Sequence, residues 1–291
     1  MKARFWQQRL AKKTQRELMS LLRSQSDDLR KIIAKAARQA NRIMLRLPGD
    51  SVSEVTRRAF YAQRRLELIR LAADTWEDKI PASIMRDIGE ATKLANKTNR
   101  QLLRVLLEAV PDDSLVLARS FLRSAEDAFL DLQSRMLNNV RLSASVYRNE
   151  ALMMGKIDDV VNNGILLGQS SKEIAEGVVQ YINPDVMGGQ RHAANRLART
   201  ELNNAFHRTS IESYKASPYV IGVQWNLSGS HDRDDECDDW DGEVFPKDEV
   251  PDKPHPQCYC FLTPISPEPD EFAEKLLGGD YDGSLIGSAV V

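Results

Sequence analysis

The sequence predicts a mainly α-helical protein, in which long N-terminal helices and a helical bundle precede a small α+β module at the C-terminus. The first observation is that residues 3–47 contain neither glycine nor proline and are rich in strong helix formers. The second is that apolar residues recur at three- and four-residue steps as far as about residue 217. The third is that a run rich in β-branched and aromatic residues first comes at residues 220–227.

The N-terminal stretch, residues 1–46, is predicted to form an amphipathic helix with a basic solvent face, and its sequence is compatible with a break near residues 24–26. It carries 13 basic and three acidic side chains. Such a face either contacts nucleic acid or an acidic protein surface, or is simply solvated. The candidate contact residues are Arg4, Arg9, Lys12, Lys13, Arg16, Arg23, Arg30 and Lys31.

The middle of the chain is predicted to be a series of helices separated by turn signals. Ser51-Val-Ser-Glu54 fits a capping box that opens a second helix, which extends to about Lys79. Pro81 is expected to break it, because proline lacks an N–H donor and its ring collides with the preceding turn. Further helices are predicted at residues 82–98, 99–109, 114–137, 138–153 (continuing toward 164–168), 170–181 and 190–217. His192 and His207 lie on the last of these without a metal-compatible partner at i+4, so both are predicted to be surface or core histidines.

The C-terminal module is predicted to contain three short strands, at residues 220–227, 242–245 and 258–265. The loops around them hold the three cysteines of the chain and two of its four histidines, in the pattern His231-x5-Cys237 followed by His255-x2-Cys258-x-Cys260. Zinc prefers about four sulfur and nitrogen ligands in a tetrahedron, and short local pairs of ligands supply that geometry. The pattern therefore predicts a zinc-knuckle-like structural site, with one of the five candidates to spare: Cys237, His255, Cys258, Cys260 and His231.

Other interpretations of this segment remain open. The cysteines are alternatively ordinary buried residues, with His255 hydrogen-bonded in a turn. Cys237, Asp239, Asp241, Gly242 and Asp248 partly match a calcium-binding loop, although the first position is a cysteine and the twelfth lacks the glutamate that such loops use. A disulfide would leave one of the three cysteines unpaired, so zinc or a thiol cluster in a reducing compartment is favoured.

Charge distinguishes the two ends of the chain, and composition argues against a membrane-spanning segment and a secretory signal. Residues 228–291 carry 17 acidic and four basic side chains, so the two ends are expected to meet different partners. No run approaches the roughly 20 apolar residues of a membrane span, and the N-terminus lacks the apolar stretch of a secretory signal. The predicted domains are a helical region at 1–140 with its basic arm at 1–46, a second domain at 141–265, and an acidic, flexible tail at 266–291. The tail is predicted to open with a short acidic helix to about Leu277 and to have few anchors from Gly278 onward.

An ordered set of motifs carries a family resemblance. Arg199-Thr-Glu201 lies in a helix and is followed by a strand containing Trp225. Asp241-Gly242-x-x-Phe245 and Pro254-His-Pro-x-Cys-x-Cys260 come next. Over about residues 145–265 this order resembles the phage Mu-type F family of minor head proteins, also called head morphogenesis proteins. Many relatives have a Cys-x2-Cys pair where this chain has Cys237 followed by Trp240, so either His231 takes that place or the site is incomplete.

The resemblance implies a non-enzymatic virion protein present in few copies, inside the head near the portal vertex, and in the host cytoplasm during assembly. It implies a role in head morphogenesis and in DNA packaging or ejection. The implied partners are the portal protein, the major capsid or a scaffolding protein, and packaged double-stranded DNA, with no membrane. The basic residues of the arm then become candidate DNA or portal contacts.

Two rival functions fit the sequence less well. The acidic residues at 232–241 beside Cys and His suggest a metal-dependent nuclease or another DNA-acting enzyme, yet no general base is placed beside a carboxylate pair on a rigid element. The deaminase, P-loop and metalloprotease motifs are absent from the sequence. A DNA-binding regulator would need a recognition helix, and none is identifiable among the N-terminal helices.

Overall fold

The structure is a computed structural model of the chain. It describes residues 4–44, 46, 53–139, 142, 152, 155–164, 167, 169, 171–182, 190–229, 231, 234–256 and 258–281. Within these ranges the predicted fold class is confirmed, because long helices dominate and a small sheet lies near the C-terminus. None of the described helices is long and apolar enough to cross a membrane.

Seven helices occupy the described residues before the sheet. They are α1 (Phe5–Met44), α2 (Glu54–Ala73), α3 (Ile80–Leu107), α4 (Leu115–Asn139), α5 (residues 155–164), α6 (Ser171–Ile182) and α7 (Gln190–Lys215).

Helix α1 runs without interruption, so the break considered near residues 24–26 does not occur. One side of the helix is apolar and buried, as Leu18, Leu29 and Ile33 show. Every basic side chain described between residues 4 and 46 is exposed, which confirms the predicted basic solvent face.

The prediction that Pro81 breaks the second helix is wrong. Helices α2 and α3 are joined by a π-helical turn, Asp74–Lys79, in which the Ile80 N–H bonds to the Thr75 carbonyl five residues earlier. A π turn is wider than an α turn, which makes room for the proline ring against the preceding carbonyl. Pro81 then lies in the first turn of α3, where its missing N–H is tolerated.

The chain forms two compact units. The first consists of Met1–Leu21, Ile88–Val140 and Leu202–Val291, and the second of Leu22–Asp87 and Arg141–Glu201. The domain boundaries expected from the sequence stay a prediction.

In the second unit an ion pair joins α2 to α5. The Arg65 guanidinium donates from Nε and Nη2 to the two carboxylate oxygens of Asp158, at 2.6 and 2.7 Å. These hydrogen bonds lower the pKa of Asp158 and raise that of Arg65. Since Asp158 is ionised at neutral pH, the pair contributes stability there and loses it on acidification.

Asp158→Asn is therefore expected to destabilise the protein by about 1 kcal/mol at neutral pH, since both partners are partly exposed and screened by solvent. Asp159→Asn provides the control, because the Asp159 carboxylate lies 3.9 Å from Lys156 and 65% of it is exposed. Urea unfolding of both variants at pH 7 measures the difference. Equal midpoints for the two variants would contradict the assigned role of the pair.

In the first unit a three-stranded antiparallel sheet has the order β2-β1-β3. The strands are β1 (Gly222–Asn226), β2 (Val244–Phe245) and β3 (Phe261–Ile265), with the short helix α8 (Glu236–Trp240) between β1 and β2. Trp225 on β1 faces Leu262 on β3 in the register. The buried core of this unit contains residues of α3, α4 and α7, together with β1 and the cysteines.

The acidic segment after β3 forms α9 (Pro269–Leu277). Its Phe272 is fully buried and stacks on Tyr281 with ring centroids 5.4 Å apart. The short acidic helix that the sequence predicts to about Leu277 is confirmed, but its Phe272 and the following Tyr281 are buried in a segment predicted to be a flexible tail. Residues 282–291 lie outside the described residues.

Candidate metal centre

Helix α8 positions the first cysteine. Asp235 is the N-cap, and its carboxylate accepts a hydrogen bond of 2.8 Å from the Cys237 N–H. Asp238 accepts one of 2.8 Å from the Asp235 N–H, which completes a capping box. Gly242, with φ of 76°, then makes the left-handed turn into β2. Cys237 is thereby held in the first turn of α8, with its side chain buried.

The three cysteines converge in the core. All are free thiols, their exposed fractions are 2% or less, and their sulfurs lie within 4.8 Å of one another. The Cys237 and Cys258 sulfurs are 3.6 Å apart. A tetrahedral zinc ion with bonds of about 2.3 Å would separate two sulfurs by roughly 3.8 Å. The spacing fits such an ion, so these three close, buried cysteines could hold a metal.

Two residues lie where a fourth ligand would be needed. His255 Nε2 is 3.8 Å from the Cys237 sulfur, and Asp235 Oδ2 is 3.1 Å from the same nitrogen. These two residues and Cys237 form a second group with metal-binding potential. His255 Nδ1 lies 3.0 Å from the Pro256 carbonyl, and donation to it would leave Nε2 free as an acceptor or ligand.

His231 lies in a different group. Its Nε2 is 2.9 Å from Asp238 and 4.0 Å from Asp235, and the hydrogen bond with Asp238 raises the pKa of His231. The five predicted ligands therefore do not all fall in one group of mutually close ligand atoms. Cys237, Cys258 and Cys260 are together, His255 adjoins Cys237, and His231 belongs with the two carboxylates. Which of them bind a metal stays a prediction.

The calcium alternative gains no support from the described residues. None of the groups there that could hold a metal contains Asp239, Asp241 or Asp248. Asp241 instead accepts a hydrogen bond of 3.0 Å from the Leu227 N–H. Cys237, at the first position of the calcium template, directs its sulfur toward Cys258.

The thiols influence one another's ionisation. A hydrogen bond from Cys260, helped by the charge of Lys253, lowers the pKa of Cys258 to about 5. Burial and the neighbouring Cys258 raise the pKa of Cys237 to about 12. The hydrogen bond to Cys258, together with burial, raises the pKa of Cys260. Without a metal the cluster therefore favours one thiolate, at Cys258, and a metal would displace protons from the other two.

Lys253 and Trp225 surround the cluster, and sequence reasoning gave neither a role beside it. The Lys253 ammonium lies 3.9 Å from the Cys258 sulfur and donates to the Cys260 carbonyl. It also lies 5.7 Å from the centroid of the Trp225 ring. A single lysine in a polar loop carries no sequence signal for this position.

The prediction that His207 is a core or surface histidine is confirmed, since its side chain is buried. Its Nε2 is 2.9 Å from the Pro251 carbonyl, and its ring meets Trp225 edge-on. Burial is the main cause that lowers the pKa of His207 from 6.5 to about 3, so the folded protein keeps it neutral near pH 7.

Acidification is accordingly expected to weaken the folded state through His207. The unfolded chain takes up this proton below pH 6.5 and the folded chain only near pH 3, so stability falls between these values. From pH 6.5 to pH 5 the loss is about 2 kcal/mol. His207→Gln keeps a donor for Pro251 but does not titrate, so its free energy of unfolding should fall less over this interval. Parallel slopes for the two proteins would contradict the assignment.

The candidate contact residues of α1 are all exposed, but they differ in their surroundings. Arg4 forms an ion pair with Glu268, and Lys31 lies 3.2 Å from Asp28. Arg23 and Arg30 lie farther along the helix. The remaining four line two clefts of the first unit and form no ion pair within the described residues: Arg9, Lys12, Lys13 and Arg16.

Both clefts combine cations with apolar walls. The larger has a volume of about 870 Å³ and is lined by Phe5, Trp6, Leu10 and Val105 as well as cations. The smaller, of about 520 Å³, is lined by residues that include Met19, Leu227 and Phe261. Lys12 and Arg16 line both clefts.

Residues 155–263 match the family described as Phage Mu protein F like protein. The match extends from α5 to the middle of β3 and contains all three cysteines, in agreement with the resemblance over about residues 145–265. No curated protein and no solved structure matches the chain.

Proposed function

We propose that the chain is a minor head protein of a tailed phage, located at the portal vertex, because residues 155–263 match the phage Mu protein F like family. In this role it takes part in head morphogenesis and in the packaging or ejection of DNA. The family match is the observation that carries the proposal, since this family points to phage head morphogenesis.

A structural zinc ion is part of the proposal. Cys237, Cys258 and Cys260 would hold it, with His255 as the fourth ligand, and the spacing of the sulfurs supports this set. When bound, zinc would link α8 to the segment that precedes β3. Cross-links of this kind stabilise modules whose own hydrophobic core is small.

The same ligand set argues against an enzyme. Four protein ligands leave no coordination position for a catalytic water. In the neighbouring acidic group, Asp235 and Asp238 form the cap of α8, and both lie close to a histidine. We therefore propose a structural rather than a nucleolytic role for this region.

We propose that the two clefts of α1 contact the portal protein rather than DNA. Phosphates would pair with Lys12 and Arg16 but would leave the apolar walls uncovered, including Phe5, of which 81% is exposed. An acidic protein surface that also carries apolar side chains would pair with the cations and cover the apolar walls. Arg23, Arg30 and Lys31, which line neither cleft, remain candidates for packaged DNA.

Phage carrying a stop codon in this gene test the head function. Purified virions of the intact phage should contain the chain in few copies, with its density at one vertex in asymmetric cryo-electron microscopy. The interrupted gene should reduce DNA-filled heads, and a plasmid copy should restore them. Normal yields of infectious particles without the chain would overturn the proposal.

Charge reversal tests the cleft contact. Lys12→Glu/Arg16→Glu should weaken binding to purified portal protein by at least about tenfold, because it places like charges against an acidic partner. Arg119→Glu/Arg123→Glu, on exposed positions of α4 outside the clefts, is the matched control. If the first variant instead loses binding to a DNA duplex, with a steep dependence on salt, while portal binding is unchanged, the clefts belong to DNA.

A further inference from the structure

We propose that Lys253 is the charge-balancing residue of the metal centre and that it selects a neutral fourth ligand, His255, over Asp235. This inference rests on the zinc site proposed above. Lys253 would not bind the metal. Its positive charge would balance the negative charge of the cysteine ligands that it contacts.

The position of Lys253 supports this role. Its ammonium lies 3.9 Å from the Cys258 sulfur and donates a hydrogen bond to the Cys260 carbonyl, so it contacts two of the three cysteine residues. On another side it lies against the ring of Trp225, which is fully buried. The lysine as a whole is partly exposed; burial lowers the pKa of its ammonium, and the neighbouring cysteine sulfurs act in the opposite direction.

No carboxylate balances this charge within the described part of the chain. Three other partly buried lysines there have one: Lys79 with Asp74, Lys97 with Glu17 and Lys215 with Glu212. Around Lys253 the available anions are the cysteine sulfurs. A buried ammonium is stabilised by an anionic partner that offsets its lost hydration, and a thiolate at Cys258, 3.9 Å away, would supply one. A metal ion maintains that state, because it binds cysteine as the thiolate.

The charge balance then distinguishes the two candidates for the fourth ligand. A zinc dication with three thiolates and a neutral imidazole carries a single negative charge, which one ammonium cancels. A carboxylate in place of the imidazole would add a second negative charge, with no further cation in contact with the sulfurs among the described residues. Lys253 thus favours His255 as the ligand and leaves Asp235 as the cap of α8.

The experiment measures zinc affinity of the full-length chain by competition with a chromophoric chelator. Lys253→Gln retains a hydrogen-bond donor without the charge, and Lys253→Met retains the aliphatic length without either. Both should lower the affinity by about 10- to 100-fold, the usual effect of losing a residue that supports metal ligands. Lys253→Arg, which retains the charge, should lose less affinity than either.

Lys247→Met is the matched control, because Lys247 donates to the Ser217 carbonyl and not to a cysteine. Its zinc affinity should be unchanged. Cobalt-loaded protein gives a second readout, since the thiolate-to-cobalt absorption band reports how many sulfurs bind the metal. The band should be retained in Lys253→Arg. In Lys253→Gln it should be lost at lower chelator concentrations than in the unchanged protein.

Several results would overturn the inference. Unchanged affinity in both Lys253→Gln and Lys253→Met would show that the charge is irrelevant. An equal loss of zinc affinity in Lys253→Arg would show that the lysine side chain acts through its packing and not through its charge. If Asp235→Asn removes zinc and His255→Gln retains it, the selected ligand is wrong. Absence of zinc from the unchanged protein would be a separate result. It would refute the zinc site itself and, with it, the role proposed for Lys253.

Discussion

Cys258→Ser is expected to reduce the zinc content of the purified protein from about one ion per chain to nearly none, because structural zinc sites use a closed set of about four ligands. Cys258 lies at the centre of the cluster, 3.6 Å from the Cys237 sulfur and 3.9 Å from the Lys253 ammonium. A serine hydroxyl is a poor zinc ligand, and it would leave Lys253 beside an uncharged group. Elemental analysis of the dialysed protein measures the effect.

The same change should lower the melting temperature by on the order of 10 °C, because the binding energy of structural zinc is part of the folding energy. Treating the unchanged protein with a strong chelator should reproduce this shift. Chelation should not shift the melting temperature of Cys258→Ser any further. A variant that melts like the unchanged protein, with the zinc content of both near zero, would show that the cysteines are ordinary core residues.

Two histidine variants then separate the candidates that the sequence could not rank. His255→Ala should lose zinc as Cys258→Ser does, because His255 Nε2 lies 3.8 Å from the Cys237 sulfur. His231→Ala should retain zinc, because His231 lies beside Asp238 and Asp235. The reverse outcome would assign the fourth position to His231, the residue that sequence comparison offered as a replacement for the missing cysteine.

The gathering of the cysteines was predictable because the information is local. His255-x2-Cys258-x-Cys260 is a short turn followed by a strand, and only Cys237 has to be brought from a distant position in the sequence. The separation of His231 from His255 was not predictable, since both precede a cysteine at short spacing. It depends on Asp235 and Asp238, whose carboxylates cap α8, and Asp238 also engages His231.

The errors in the helices have a similar origin. Pro81 is a valid break signal, but it fails where a π turn widens the helix before it. The acidic composition of the last 26 residues favours solvent exposure, but Phe272 and Tyr281 stack on each other and both contact Phe121 of α4. Spacing along the sequence does not encode a contact that forms only in the folded core.

Phe272→Ala provides the test of that contact and is expected to cost about 3–5 kcal/mol, as removal of a large buried aromatic side chain usually does. Phe272 is fully buried between rings from three parts of the first unit. The centroids of Phe121 and Tyr219 are both 6.0 Å away, and that of Tyr281 is 5.4 Å away. The alanine variant would leave a cavity where α9 meets the core, so α9 should detach more readily.

Leu277→Ala is the matched control on the same helix. Leu277 is apolar and 46% exposed, so its truncation should change the free energy of unfolding by less than about 1 kcal/mol. Chemical denaturation gives the two free energies, and limited proteolysis of the folded protein should cut Phe272→Ala within α9 at protease concentrations that leave Leu277→Ala intact. If both variants unfold at the same midpoint and are cut at the same rate, α9 does not stabilise the core, and the acidic tail is as loose as its composition predicts.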